Sequence, residues 1–327
     1  MIKQTLFASF IAVSSLLIGC APPAPEAKME TPLRVFETLA SDAMQGRATG
    51  TAGGDKAREY LKQEMKALGV FDETRAQVFA FSPPSRDDGP TIELEGTNLI
   101  GVIDAEDDDT APILIITAHY DHLGIRDGGV IYNGADDNAS GSAALFAIAE
   151  SFAERPPKHD VALVWLDAEE RGLSGARAFV AADPLVKGRA VFNLNLDMVS
   201  QNERELYFSG AHHYPILKTL MEKAAKGTGL TLSFGHDRPE DGPDDWTHQS
   251  DHAAFHAVGI PFGYFGVEDH PNYHRASDTY ETIPQKFYKS SVQTIVNAAH
   301  ILDTYLDTIA KAAVPGGADP TVQTDTE

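Results

Sequence analysis

The sequence predicts an α/β protein with a mixed, largely parallel central sheet sandwiched between helices. Helix-like and strand-like segments alternate from Thr31 onward. Several strand candidates are continuous apolar runs bounded by turn residues, as strands covered on both faces should be. Hydrophobic residues make up 43% of the 327 and charged residues 23%, enough for a sizeable core and too apolar for a disordered or fibrous chain.

Thr31-Pro32 reads as the cap and first-turn proline of a helix carried on by Leu33, Phe36 and Leu39. A second helix is expected over Ala52–Leu68, with Ala57, Tyr60, Leu61, Met65 and Leu68 on one face and Gly69 as its stop. Strands are expected at Ala76–Phe81, Asn98–Ile103, Pro112–Thr117, Val161–Leu166, Val191–Leu196, Leu206–Ser209, Leu230–Phe234 and Pro261–Phe265. Helices should fill Gly141–Phe152, Leu173–Ala181, Pro215–Lys226, Ser250–Val258 and Pro284–Ala312. No internal repeat interrupts this order, and no linker inside 31–312 is long enough to divide it.

The ends read differently. Residues 1–19 have a basic start, a short apolar run (Leu6–Ile18) and a small residue before Cys20, which describes a secretory signal rather than a membrane span. Leu17-Ile18-Gly19-Cys20 resembles the lipobox of bacterial lipoproteins, which makes Cys20 the expected lipidated residue. Residues 20–30 then serve as a tether, and 313–327 as a loose acidic tail. Ala21 after the cysteine resembles outer-membrane sorting, so the expected place is the bacterial cell envelope, anchored on the outer membrane and facing the periplasm. The net charge of −22 argues against nucleic acid and anionic membrane surfaces as partners, leaving the lipid as the membrane attachment. A single cysteine excludes an intrachain disulfide and a thiolate zinc site.

Chemistry concentrates where the apolar strands end. Ile113–Thr117 runs into Ala118-His119-Tyr120-Asp121-His122, Val161–Leu166 into Asp167-Ala168-Glu169-Glu170, and Val191–Leu196 into Asp197. Gly134–Gly141 (GADDNASG) opens a helix, and His270–Thr279 precedes the last one. Open α/β sheets place their sites at such strand ends. One cluster alone is commonly a helix cap or a solvated turn; five together are not. Imidazole and carboxylate without thiolate suit zinc, manganese or cobalt. Several carboxylates with two histidines, and one carboxylate left over as a base, are the parts of a two-metal hydrolase.

In this order, AHYDHLG, GADDNASG, DAEERGLSGARAF, NLDMV and PNYHRASDT resemble the co-catalytic di-zinc aminopeptidase family, over roughly residues 33–310. That family holds secreted bacterial leucyl aminopeptidases and, more distantly, glutamate carboxypeptidase II. The resemblance implies a single metallopeptidase domain over 31–312. It implies two zinc ions (manganese or cobalt as substitutes), one on His119 and Asp197, the other on Glu170 and His274, with Asp137 bridging. Glu169 would be the general base on the water between the ions, and Asp121 would orient His119 by accepting its free ring N–H. A cis peptide is implied at Asp136–Asp137. The segment SDHAAFHAVGIPFGYF is similar to the family's pocket wall, which makes Asp251, His252 and Tyr264 candidates for substrate contact.

The implied activity is removal of N-terminal residues from peptides with a free amino end. A carboxypeptidase or dipeptidase of the same fold remains open, as do a one-zinc glutaminyl cyclase and a lipid-anchored binding protein without catalysis. Other features lead elsewhere. His248, His252 and His256 recur every four residues but do not share a helix start, and His212, His213 and His236 read as surface residues. Gly124–Gly129 has no following helix or lysine to make a phosphate loop. Asp104–Asp109 lacks calcium-loop spacing and reads as a solvated turn.

Overall fold

The computed structural model describes residues 23–82, 92–105, 111–189 and 191–312. The signal, Cys20, the acidic tail and most of the Asp104–Asp109 run lie outside the described residues.

In chain order the elements are α1 (Glu30–Leu39), α2 (Ala52–Leu68), β1 (Glu73–Phe81), β2 (Leu94–Ile103), β3 (Ile113–His119), β4 (Gly124–Arg126), β5 (Val130–Tyr132) and α3 (Gly141–Glu154). There follow β6 (Val161–Leu166), α4 (Ser174–Ala182), β7 (Val191–Leu196), β8 (Glu205–Ser209), α5 (Ile216–Ala225), β9 (Thr231–Phe234), α6 (His252–His256), β10 (Phe262–Gly266) and α7 (Gln285–Ala312). Eight strands form one sheet in the order β1-β2-β6-β3-β7-β10-β8-β9. The central run β6-β3-β7-β10 is parallel, as is the β8–β9 edge; the other joins are antiparallel. The sheet is mixed and largely parallel, as expected.

Every residue of β3, β6 and β7 is buried, because apolar side chains leave both faces. Leu114, Ile116, Leu163, Trp165 and Leu194 point into the core shared with α1, α3, α5 and α7. Ile113, Ile115, Ala162, Val164 and Leu166 meet Phe179 of α4 and Phe255 of α6 on the other face.

The differences from expectation have local causes. Helix α1 starts two residues early, with Met29 rather than Thr31 at the cap position; the Thr31 hydroxyl donates to Glu150 instead. Gly69 ends α2 in the left-handed conformation, as expected. Helix α6 keeps only His252–His256; before it Ser250 turns its hydroxyl to Asp197, and after it the chain turns at Gly259 in the left-handed conformation. The β4–β5 hairpin was not anticipated: three-residue strands around Gly128-Gly129 carry too short an alternation to register. Nor is the expected tether free at its inner end. Gln293 of α7 accepts the N–H of Ala27 and donates to the Pro25 carbonyl.

Candidate active site

Parallel packing of β6, β3 and β7 brings three strand ends to one edge of the sheet. His119 closes β3, Asp197 follows β7, and Glu169 and Glu170 sit on the turn after β6. Asp137 comes from the loop before α3, and His274 from the loop before α7.

Their donor atoms fall into two adjoining groups. The His119 Nε2 lies 3.2 Å from Asp197 Oδ1 and 3.4 Å from Asp137 Oδ1. The other oxygen of Asp137, Oδ2, is 3.0 Å from His274 Nε2, which is 3.5 Å from Glu170 Oε1. Asp137 therefore faces both groups. A residue absent from the expected set, His122, stands in the second, its Nδ1 2.9 Å from Glu170 Oε1 and 3.5 Å from Asp137 Oδ2. Within each of the sets His119–Asp137–Asp197 and His122–Asp137–Glu170, the donor atoms lie within 4.8 Å of one another. The Glu170 Oε1 and both ring nitrogens of His122 are buried without a hydrogen-bond partner. Unsatisfied donors converging on a point are what a cation would complete. Residues present and implied metal fit each other.

Electrostatics agree. Burial alone would lower the pKa of the His274 ring, yet the carboxylates of Asp137 and Glu170 beside it push it up to about 10. Burial likewise opposes a charge on His119, but Asp197 and Asp121 hold its pKa well above the usual histidine value. The carboxylates hold positive charge in place even on imidazole. Glu169 differs: burial, with Asp197 and Asp251 nearby, lifts its carboxyl well above the normal range against the opposing pull of His119. It belongs to neither donor group and lines the cleft, a cavity of about 270 Å³ walled also by Leu173, Met198, Gln249, Tyr273 and His274.

Around the donors runs a frame of buried hydrogen bonds. The carboxylate of Asp278 accepts the backbone N–H groups of Asp136 (2.9 Å) and Asp137 (3.2 Å). Asp136 Oδ1 accepts from the Ser200 N–H, the Ser200 hydroxyl and the Gln201 N–H, and its Oδ2 meets His270 at 3.0 Å. Ser250 donates to Asp197 Oδ2 at 2.7 Å. The ring of Tyr273 stacks on His274, with centroids 3.9 Å apart. Three non-glycine residues at the site, Ala168 and Met198 beside the donors and the donor His274 itself, have left-handed φ of 59°, 60° and 51°. Backbone strain of this kind collects at functional sites. The cis peptide falls one bond later than expected, at Asp137–Asn138.

Asp121 stands beside His119, with Oδ1 3.6 Å from Nδ1, but its carboxylate is engaged elsewhere. It accepts the N–H groups of Glu169 (3.0 Å) and Glu170 (3.3 Å), while the His119 Nδ1 meets the Asp121 backbone carbonyl at 3.2 Å. Asp251, His252 and Tyr264 lie beneath the cleft rather than on its wall. Asp251 and His252 have no exposed surface, so neither can meet a substrate directly. Burial pushes Asp251 up to about 8 and His252 down to about 3, so both are neutral near pH 7. The Tyr264 hydroxyl donates to the Asp197 carbonyl. His213 and His236 are half-buried: His213 lies against His256 and Phe262, and His236 stacks on Trp246.

Fold and cleft together define an α/β protein with two adjoining groups of oxygen and nitrogen donors, of the kind that hold a metal ion, at one edge of its sheet. The chain belongs to peptidase family M28, whose model matches residues 98–299. It is 29% identical over 310 residues to leupeptin-inactivating enzyme 1 of Streptomyces exfoliatus, covering 92% of this chain and 63% of that one. The chain spans less than two thirds of the length of the curated relatives it matches. Its fold is similar to that of BSAP, a zinc aminopeptidase from Bacillus subtilis, with TM-score 0.68, 18% identity and coverage of 88% and 96%. A Bacteroides thetaiotaomicron glutaminyl cyclase shares the fold as well, with TM-score 0.65, 20% identity and coverage of 85% and 99%.

Proposed function

We propose that this chain is a zinc-dependent aminopeptidase that removes N-terminal residues from peptides and holds two divalent ions. One ion would rest on His119, Asp137 and Asp197, the other on Asp137, Glu170 and His274; manganese or cobalt would satisfy the same donors. When bound, the ions supply Lewis acidity, polarising the scissile carbonyl and acidifying water. The observation that carries this reading is the position of Glu169, a cleft-lining carboxyl outside both donor groups and raised by burial. Such a group is fitted to take a proton from attacking water and hand it to the departing amine.

The amine end is favoured by charge. The cleft lining carries the carboxylates of Asp137, Glu169, Glu170 and Asp197 but neither Arg nor Lys, so it suits a substrate ammonium better than the free carboxylate that an Arg or Lys would hold. We further propose that Cys20 carries a lipid anchor on the cell envelope, a reading supported by the Leu17–Cys20 sequence.

Aminoacyl-p-nitroanilides, their N-acetylated forms, an N-acetylated peptide with a free carboxyl end and a peptide beginning with Gln test the proposal together. Release of nitroaniline from the free-amine substrates alone is expected. Cleavage restricted to N-blocked peptides would make it a carboxypeptidase, and pyroglutamate formation a glutaminyl cyclase. No turnover and no bound metal would leave a binding protein.

A further inference from the structure

We propose that His122 is a direct ligand of the ion between Asp137, Glu170 and His274, so that this position has four protein donors and its neighbour three. The inference rests on the two-ion reading above and adds a ligand to it.

The distances are those of shared coordination. Donors bonded to one zinc at about 2.0–2.1 Å stand about 2.9–3.4 Å apart for angles between square and tetrahedral. His122 Nδ1 lies 2.9 Å from Glu170 Oε1, and His274 Nε2 lies 3.0 Å from Asp137 Oδ2. The other two neighbouring pairs, His122 with Asp137 Oδ2 and His274 with Glu170 Oε1, both stand 3.5 Å apart.

A plain hydrogen bond does not account for the His122–Glu170 approach. At 2.9 Å the two atoms are close enough for one, yet neither is aligned as donor or acceptor to any partner. Plain packing does not account for it either, since a buried ring with both nitrogens unpartnered is an expensive core residue. The ring is also held in place. A Cβ at Gly134 would fall on the His122 Cγ and Cδ2, so that backbone lies flat against the ring and leaves it little room to turn.

The result is an unequal pair. Four protein donors are characteristic of closed, tightly held zinc, and three of positions that keep a place open. The open place belongs to the position on His119 Nε2, Asp137 Oδ1 and Asp197 Oδ1. The four-donor position should therefore fill first and release its ion last.

Titration of zinc and cobalt into the metal-stripped protein, with a competing chelator, reads two dissociation constants. In His122→Phe, which keeps shape without a donor, the tighter constant should weaken at least about 10-fold, the low end of what losing even a ligand's supporting partner costs. The weaker constant should stay within about 2-fold. His122→Asn, whose side-chain oxygen sits near the position of Nδ1, should recover part of the loss. Two unchanged constants in His122→Phe would overturn the proposal and leave the two-ion reading intact. Failure of the unaltered protein to bind two ions would overturn both. Should His122→Phe not fold, the visible spectrum of the first cobalt equivalent in His122→Asn decides: a shifted spectrum supports the ligand and an unshifted one overturns it.

Discussion

The carboxylate of Asp121 accepts the backbone N–H of Glu169 at 3.0 Å, so the turn carrying the proposed base hangs from the residue two places after a proposed ligand. The other oxygen reaches the N–H of Glu170 at 3.3 Å and the hydroxyl of Thr49 at the same distance. Asp121 thereby ties the end of β3 to the turn after β6. In Asp121→Asn one oxygen becomes an NH₂ group that faces an N–H, and one of the two backbone bonds is lost. Turnover should fall about 10–100-fold, the range for a supporting group in a metal site, with KM moving by less than about 3-fold. Steady-state kinetics of the variant beside the unaltered protein check this.

Asp278 does for Asp137 what Asp121 does for Glu169, since it accepts the N–H groups of both Asp136 and Asp137. Asp137 is the one side chain that faces both donor groups. Asp278→Ala should therefore weaken both ions together, by about 10–100-fold each. Chelator competition reads this directly; weakening confined to one ion would contradict the bridging position.

Arg47 is buried entirely and donates to four backbone carbonyls, those of Leu39, Tyr120, Asn133 and Gly134. It joins α1 to the chain on either side of the β4–β5 hairpin. Burial brings its pKa down to about 10, against the attraction of Asp137 and Asp278, so it stays charged at neutral pH. Arg47→Met removes the Arg47 donor from the carbonyls of Leu39, Tyr120 and Asn133, while Gly134 keeps the N–H of Ala139. At roughly 1–3 kcal/mol for each unsatisfied buried group, the loss should be at least about 3 kcal/mol, measured by denaturant unfolding of the metal-free protein.

Acid lability should trace in part to His300, far from the cleft. Its Nδ1 accepts from Arg155 Nε at 3.3 Å and its Nε2 meets the Ser151 hydroxyl at 3.1 Å, so the ring is placed as a neutral group. Burial, reinforced by Arg155, lowers its pKa from 6.5 to about 3. Between those values the unfolded chain holds a proton that the folded one refuses, so this contribution to stability is lost as pH falls below 6.5. Above 6.5 the ring is neutral in both states and contributes no slope. His300→Gln should flatten the pH dependence of unfolding between pH 6.5 and 4, by at most about 1.4 kcal/mol per pH unit. An unchanged slope would refute this.

What could be read in the sequence follows from where period and burial coincide. Val161–Leu166 was legible to the residue because a strand buried on both faces is an unbroken apolar run, and Val191–Leu196 because its apolar residues are interrupted only by Asn193 and Asn195. The polar residues just past such runs, His119, Glu169, Glu170 and Asp197, were legible as site candidates because a sheet edge gathers them. His122 was not. Its ring reaches the site only because the chain turns back after β3, and no spacing encodes that turn. Arg47 reads as an ordinary surface arginine in Met44-Gln45-Gly46-Arg47, since its four acceptors come from distant segments. Asp251 and His252 were drawn toward the substrate by their place beside the pocket segment, yet their backbone packs them underneath it.

The central claim is that Glu169 acts on protons while other residues hold the metal, and one variant separates the two. Glu169→Gln keeps the size and removes the base. Metal content and aminoacyl-p-nitroanilide turnover, measured on the same preparation, should give two ions per chain in both proteins. Turnover in the variant should be lower by about 10²–10⁴-fold, the usual contribution of a general base. A variant that retains turnover, or that loses an ion along with it, would contradict the account.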